Sequence, residues 1–168
     1  MAHEKIIQVA FAPIPEDELL CEEDLYENLD SFGIDYVSEM PKLNYNVRAF
    51  LNEFDKNIFI ADKNDPKAVI PNNIGAYLRK VWKTAREKME KLLTYSEKEY
   101  ETNYNNIDST IYSLRKLLGK TTFGDTLFYI TEEGRLYTRT EFIKSVDFYK
   151  KKDSELKLYI GSFLDYHY

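Results

Sequence analysis

Thiols and imidazoles are nearly missing from this chain, which has one cysteine, Cys21, and two histidines, His3 and His167, at opposite ends. A single thiol forms no intramolecular disulfide, and without a Cys-x-x-Cys pair or a His/Cys cluster there is no zinc-type ligand set. Nucleophilic schemes built on serine or cysteine lack a neighbouring base for the same reason. No metal and no cofactor is therefore expected, and this cysteine usage fits a reducing, cytoplasmic setting. No apolar stretch approaches the roughly 20 residues that a membrane helix requires. The apolar run over residues 6–12 is interrupted by Gln8 and has no cluster of positive charge before it, so it reads as a first strand and not as a signal peptide. Six glycines and five prolines form no linker. With 168 residues the chain is expected to fold as one domain over 1–168.

Basic residues are the other absence. From Pro15 to Met40 there are ten carboxylates and no Lys or Arg, so residues 1–40 carry a net charge of −10 and the remainder +4. Charge segregated this strongly points to a surface that meets a basic partner. A face that is only solvated usually mixes signs in pairs four residues apart.

What is present is ordinary globular material: 43% hydrophobic, 31% charged and 15% aromatic, with fourteen Tyr and ten Phe. The Pro13-Ile14-Pro15 segment predicts a helix start, with the helix running to about Phe32 and closed by Gly33. On that helix Cys21, Leu25, Leu29 and Phe32 would face the core, while Glu16, Asp17, Glu23, Asp24, Glu27 and Asp30 would face solvent with Leu20 among them. Further strands are expected over residues 34–40 and 58–61, with a short helix over 47–54. A long helix is predicted from Ile74 to about Tyr104, its stripe formed by Ile74, Leu78, Val81, Ala85, Met89 and Leu92. After a break at Asn105-Asn106, a partner helix should end at Gly119 and complete a helical hairpin. Residues 126–131 and 135–138 read as a β-hairpin, Thr138 and Glu141 as the capping box of another helix, and residues 156–164 as a last strand.

Three patterns carry candidate chemistry. Gly119-Lys120-Thr121 imitates the end of a phosphate-binding loop, but Leu114 stands where that motif needs glycine, and a helix C-cap explains it. Glu155-Leu156-Lys157, with Asp125 or Asp147 as a second carboxylate, resembles the metal site of restriction-type nucleases; on a strand its acid and lysine would share a face. Arg79, Lys80, Lys83, Arg86 and Lys91 on the long helix, with Lys150-Lys151-Lys152, offer phosphate contacts for a nucleic acid, against a pI near 5.1.

The expected fold is therefore a single α+β domain with a small mixed or antiparallel sheet, a long helical hairpin and an acidic N-terminal helix. The expected function is non-enzymatic: a protein-binding module whose docking residues are Glu16, Asp17, Leu20, Glu23, Asp24, Glu27 and Asp30. Its expected partner is a basic protein surface such as the channel of a nucleic-acid-handling enzyme, blocked in the manner of phage or mobile-element anti-defence proteins. The alternatives are the metal-dependent nuclease and the nucleic-acid binder.

Overall fold

The computed structural model describes residues 3–26, 34–41, 46–120 and 124–167. Its centre is a mixed sheet of seven strands: β1 (His3–Ala10), β2 (Tyr36–Glu39), β3 (Phe59–Ala61), β4 (Ala68–Pro71), β5 (Leu127–Ile130), β6 (Arg135–Thr138) and β7 (Leu158–His167). The order is β3-β4-β7-β1-β5-β6, with β2 beside the C-terminal half of β7. Among the described strands only β1 and β5 pair in parallel. Among the described residues four α-helices accompany the sheet: α1 (Val47–Leu51), α2 (Ile74–Leu92), α3 (Glu97–Leu117) and α4 (Arg139–Lys152).

Strand β1 is paired on both edges and buried on both faces, which is why residues 6–10 read as a nearly continuous apolar run. Adjacent side chains on a strand point to opposite faces. Ile7 and Val9 enter the larger core with Phe128 and Ile130 of β5, Phe50 of α1, Ile74 of α2, and Phe142, Ile143 and Val146 of α4. Five phenylalanines interlock there, and Phe128 stacks on Phe142 with ring centroids 4.4 Å apart. Ile6 points the other way, into a smaller core with Leu20, Leu25, Ile34, Val37, Leu127 and Leu164. The helices thus cover one face, and Leu20, Leu25 and Ile34, from the described chain between β1 and β2, cover the other.

The α+β class, the mixed sheet and the helix pair agree with the sequence reading; several elements within it do not. Helix α2 stops at Leu92, not near Tyr104, because Ser96 and Glu99 form a reciprocal capping box that starts α3, with Ser96 N–H donating to Glu99 Oε2 at 2.8 Å. Asn105 and Asn106 lie inside α3 and do not form the turn; the non-helical residue there is Asn103. Of the α2 stripe, Ile74, Val81 and Ala85 are buried, and Leu78, Met89 and Leu92 are half-buried. Strand β4 was not anticipated, since four residues between Lys67 and Asn72 that end in a proline carry little strand signal. Thr138 precedes α4 without capping a backbone N–H; its hydroxyl instead meets Glu141 Oε2 at 3.2 Å. The β5–β6 hairpin and the Gly119 C-cap form as expected, with Gly119 at φ 74° and Lys120 N–H donating to Arg115 O at 2.8 Å.

Candidate partner-binding surface

The largest departure lies in the acidic segment. Between Pro15 and Tyr26 the chain forms two single 3-10 turns, Glu16–Glu18 and Glu23–Leu25, joined by an irregular stretch over residues 19–22, so the described part of the expected acidic helix is a strap. Two forces oppose a helix here. Like charges four apart, such as Glu18 and Glu22, repel each other. More decisively, the side chain of Gln8 takes the backbone groups that a helix would need.

Gln8 lies on β1, facing the smaller core, and is 1% exposed. Its Oε1 accepts from Leu20 N–H at 2.9 Å and from Ser162 N–H at 3.1 Å, while its Nε2 donates to Glu18 O at 2.9 Å and Thr131 Oγ1 at 3.1 Å. All four bonding positions of the amide are filled. The Ser162 bond also stabilises an irregularity in β7: Ile7 pairs with Phe163, whereas Val9 pairs with Ile160, so two residues of β7 oppose Gln8. That extra residue flips the parity of β7, sending Ile160 and Phe163 to one core and Leu164 and Tyr166 to the other. Gly161 sits in the bulge because a Cβ there would lie 2.4 Å from Gln8 Oε1 and 2.8 Å from Ile14 Cδ1.

Held this way, the strap buries Leu20 and Leu25 and turns its acids outward. Leu20 is 5% exposed, which removes it as an apolar contact for a partner and makes it a core residue. Glu16, Asp17, Glu23 and Asp24 are exposed, as is Glu18, with Glu22 half-buried. Glu27 and Asp30 lie outside the described residues. Asp24 also organises the strap, its Oδ2 accepting from Cys21 N–H at 2.8 Å and from Cys21 Sγ at 3.1 Å. That bond to Asp24, then burial, pushes the Cys21 thiol above its usual range and keeps it protonated. A cavity of about 320 Å³ lies against the strap between Asp17, Asp24, Tyr129 and Thr131.

Compensation separates these acids from four others. Glu53, Asp62, Asp125 and Asp147 each lie within 3.2 Å of a Lys or Arg. Among the described residues, no Lys or Arg pairs with any of the six strap acids.

The residues proposed for metal-assisted chemistry are placed differently from expectation. Glu155 is exposed in the turn before β7 and so does not share a strand face with Lys157. Lys157 Nζ lies 2.5 Å from Asp62 Oδ2, and this bond together with Asn64 N–H holds the buried Asp62 carboxyl below the ordinary range. Asp125 is bound by Arg139 and Asp147 by Lys151, so both prospective second carboxylates already face cations. Among the described residues no group of three or more His, Cys, Asp or Glu side chains could hold a metal ion. Thr121 lies outside the described residues. Among the described residues no helix is long and apolar enough to cross a membrane.

No family model, curated protein or solved structure matches this chain. The residues themselves therefore carry the argument. The site that sequence reading missed is a charge network at one end of the sheet, where Glu53 binds Lys5 (3.1 Å), Thr126 (2.7 Å) and Arg139 (3.2 Å), and Arg139 Nε donates to Asp125 at 3.1 Å. Two adjoining clefts, of about 290 and 320 Å³, share Tyr77, Leu117 and Arg139 of this region. Burial, partly offset by the hydroxyl of Thr140, raises the Tyr77 phenol above its usual value. Arg139 spends its donors on Glu53 and Asp125, and this joins α1, β5 and α4.

Proposed function

We propose that this protein is a non-enzymatic binding module whose acidic strap docks on a basic surface of another protein. One observation carries the reading: among the described residues none of the six strap acids pairs with a Lys or Arg and five of them are exposed, whereas Glu53, Asp62, Asp125 and Asp147 face cations. A rigid acidic face of this kind attracts a basic surface over a Debye length and speeds association. Gln8 contributes by fixing the strap before the partner arrives, which lowers the ordering cost of binding. The partner chemistry that fits is a surface built to hold the phosphate backbone of DNA or RNA, and occupying it would inhibit the enzyme that owns it. Because the strap is not helical, the mimicry rests on charge density and not on a phosphate-like spacing of one helical turn.

Reversing Glu16, Asp17 and Glu23 to Lys tests this directly. Each change is exposed and is expected to alter stability by no more than ~0.5 kcal/mol. Asp24 is left alone because it holds the Cys21 turn. From a native-host extract, wild-type protein should retain a basic nucleic-acid-binding protein at low salt, release it as salt rises, and lose it to added DNA or RNA. The triple variant should retain none of it. A folded triple variant that captures the same protein with equal, salt-indifferent affinity would reduce the strap to a solvated face.

A further inference from the structure

The helical side of the sheet carries the opposite charge. Helix α2 has six basic residues and two acids, a net charge of +4 over nineteen residues. Its inner stripe packs into the larger core and against α3 and α4. Its outer face leaves Arg79, Trp82, Lys83 and Arg86 exposed. Intrahelical pairs offset part of this charge, Arg86 with Glu90 at 2.7 Å and Lys83 with Glu87 at 4.0 Å, both at the surface where such pairs contribute little. Trp82, the only tryptophan in the chain, stands among these cations and is 61% exposed. Folding gives no reason for that placement, whereas Trp beside Arg is the composition of an interface centre.

The strap and the outer face of α2 lie on opposite sides of one sheet, so they cannot neutralise each other within a molecule. The strap has its own exposed aromatic, Tyr26. Net charge on each face is of opposite sign, and each includes an apolar ring, so the two are complementary between copies. We propose that the outer face of α2 is a docking site for the acidic strap of a second copy of this chain, giving a head-to-tail contact. Such an interface is heterologous: repeated, it builds an open series of oligomers or a ring. The inference rests on the strap being a docking surface and adds that one of its partners is the protein itself. The basic partner would then compete with self-association.

Sedimentation at about 0.01 M salt, where the Debye length is ~30 Å, should show mass rising with concentration, and about 1 M salt should return the monomer. Trp82 fluorescence should shift to the blue as oligomers form, because only that ring reports. The strap variant E16K/D17K/E23K and the helix variant R79E/K83E/R86E should each be monomeric alone. Mixed, they should associate again, since the reversed strap of one meets the reversed helix of the other. A third variant, K56E/K63E/K98E, carries the same net charge as the helix variant and should self-associate like wild type.

The inference is overturned if wild-type protein stays monomeric at low salt with unchanged Trp82 fluorescence, or if the mixture fails to associate while both variants remain folded. Fluorescence that responds to a single-stranded oligonucleotide and not to protein concentration overturns it in favour of a nucleic-acid surface on α2. In none of these cases does the outcome decide capture of a host protein by the strap, which the extract experiment reads separately.

Discussion

Leucine in place of Gln8 is expected to destabilise the protein by about 3–6 kcal/mol, because two buried backbone groups and one partly exposed group lose their partner, and each such loss costs roughly 1–3 kcal/mol, least where water can reach the group. The groups are Leu20 N–H, Glu18 C=O and Ser162 N–H. Size is nearly conserved by this substitution, so cavity formation contributes little and the effect reads the hydrogen bonds. In a protein of this length the melting temperature should fall by roughly 10 °C or more. Limited proteolysis should then cut first between Pro13 and Tyr26, since the strap loses its attachment to β1 while the larger core keeps its own contacts.

A companion substitution separates charge from shape. Gln8→Glu keeps the acceptor for Leu20 and Ser162 but loses both donated bonds and places a buried carboxylate near Asp17 and Asp24. Burial and like charge would raise its pKa in the folded state above the unfolded value of ~4.3. A raised carboxyl favours the folded state as it protonates, so this variant should gain stability as pH falls from neutrality toward 5, relative to wild type. Gly161→Ala should phenocopy the loss from the other side, since its methyl would enter the space of Gln8 Oε1. Wild-type-like denaturation midpoints for both Gln8→Leu and Gly161→Ala would show that the amide is not what holds the strap.

These expectations also show why the strap was not legible in the sequence. Local pattern favoured a helix there: prolines before it, acids in its first turn and leucines at workable spacings. The competing interaction comes from a residue on another strand, and periodicity within a segment carries no information about it. A trace was present nonetheless. Gln8 is the one polar residue in an otherwise apolar buried strand, and a buried amide must find partners. The end of α2 was missed for a different reason, since Ser96-x-x-Glu99 is a local signal that helix-forming neighbours on both sides concealed. Elements with strong periodicity or turn chemistry, such as the β5–β6 hairpin and the Gly119 cap, were readable. The charge asymmetry was readable as composition, and only the fold shows that it becomes two opposite faces of a sheet.

The second large effect is expected at Arg139. Its guanidinium, 25% exposed, is shared by Glu53 and Asp125, which are 13% and 12% exposed. Removing one partner of a buried pair typically costs about 3–5 kcal/mol because the remaining charge stays desolvated. Arg139→Met should fall at the lower end of that range, since Lys5 still compensates Glu53 from 3.1 Å and the methionine stem can pack where the arginine stem lies. Adding Glu53→Gln and Asp125→Asn to that variant should recover most of the loss, because the uncompensated charges disappear together. Acid titration gives an independent reading. Burial pulls the Glu53 carboxyl upward, but bonds from Thr126 and Lys5 and the charges of Lys5 and Arg139 outweigh it and hold the group below its ordinary value. A depressed carboxyl contributes stability that is fully present above the unfolded value of ~4.3 and is lost as pH falls through the folded one. Wild-type protein should therefore lose stability below about pH 4.3, and Glu53→Gln should flatten that limb of the curve. Urea denaturation across this range measures both effects; an Arg139→Met protein within ~0.5 kcal/mol of wild type, with an unchanged acid limb in Glu53→Gln, would show that solvent already screens the network and that packing alone joins α1, β5 and α4.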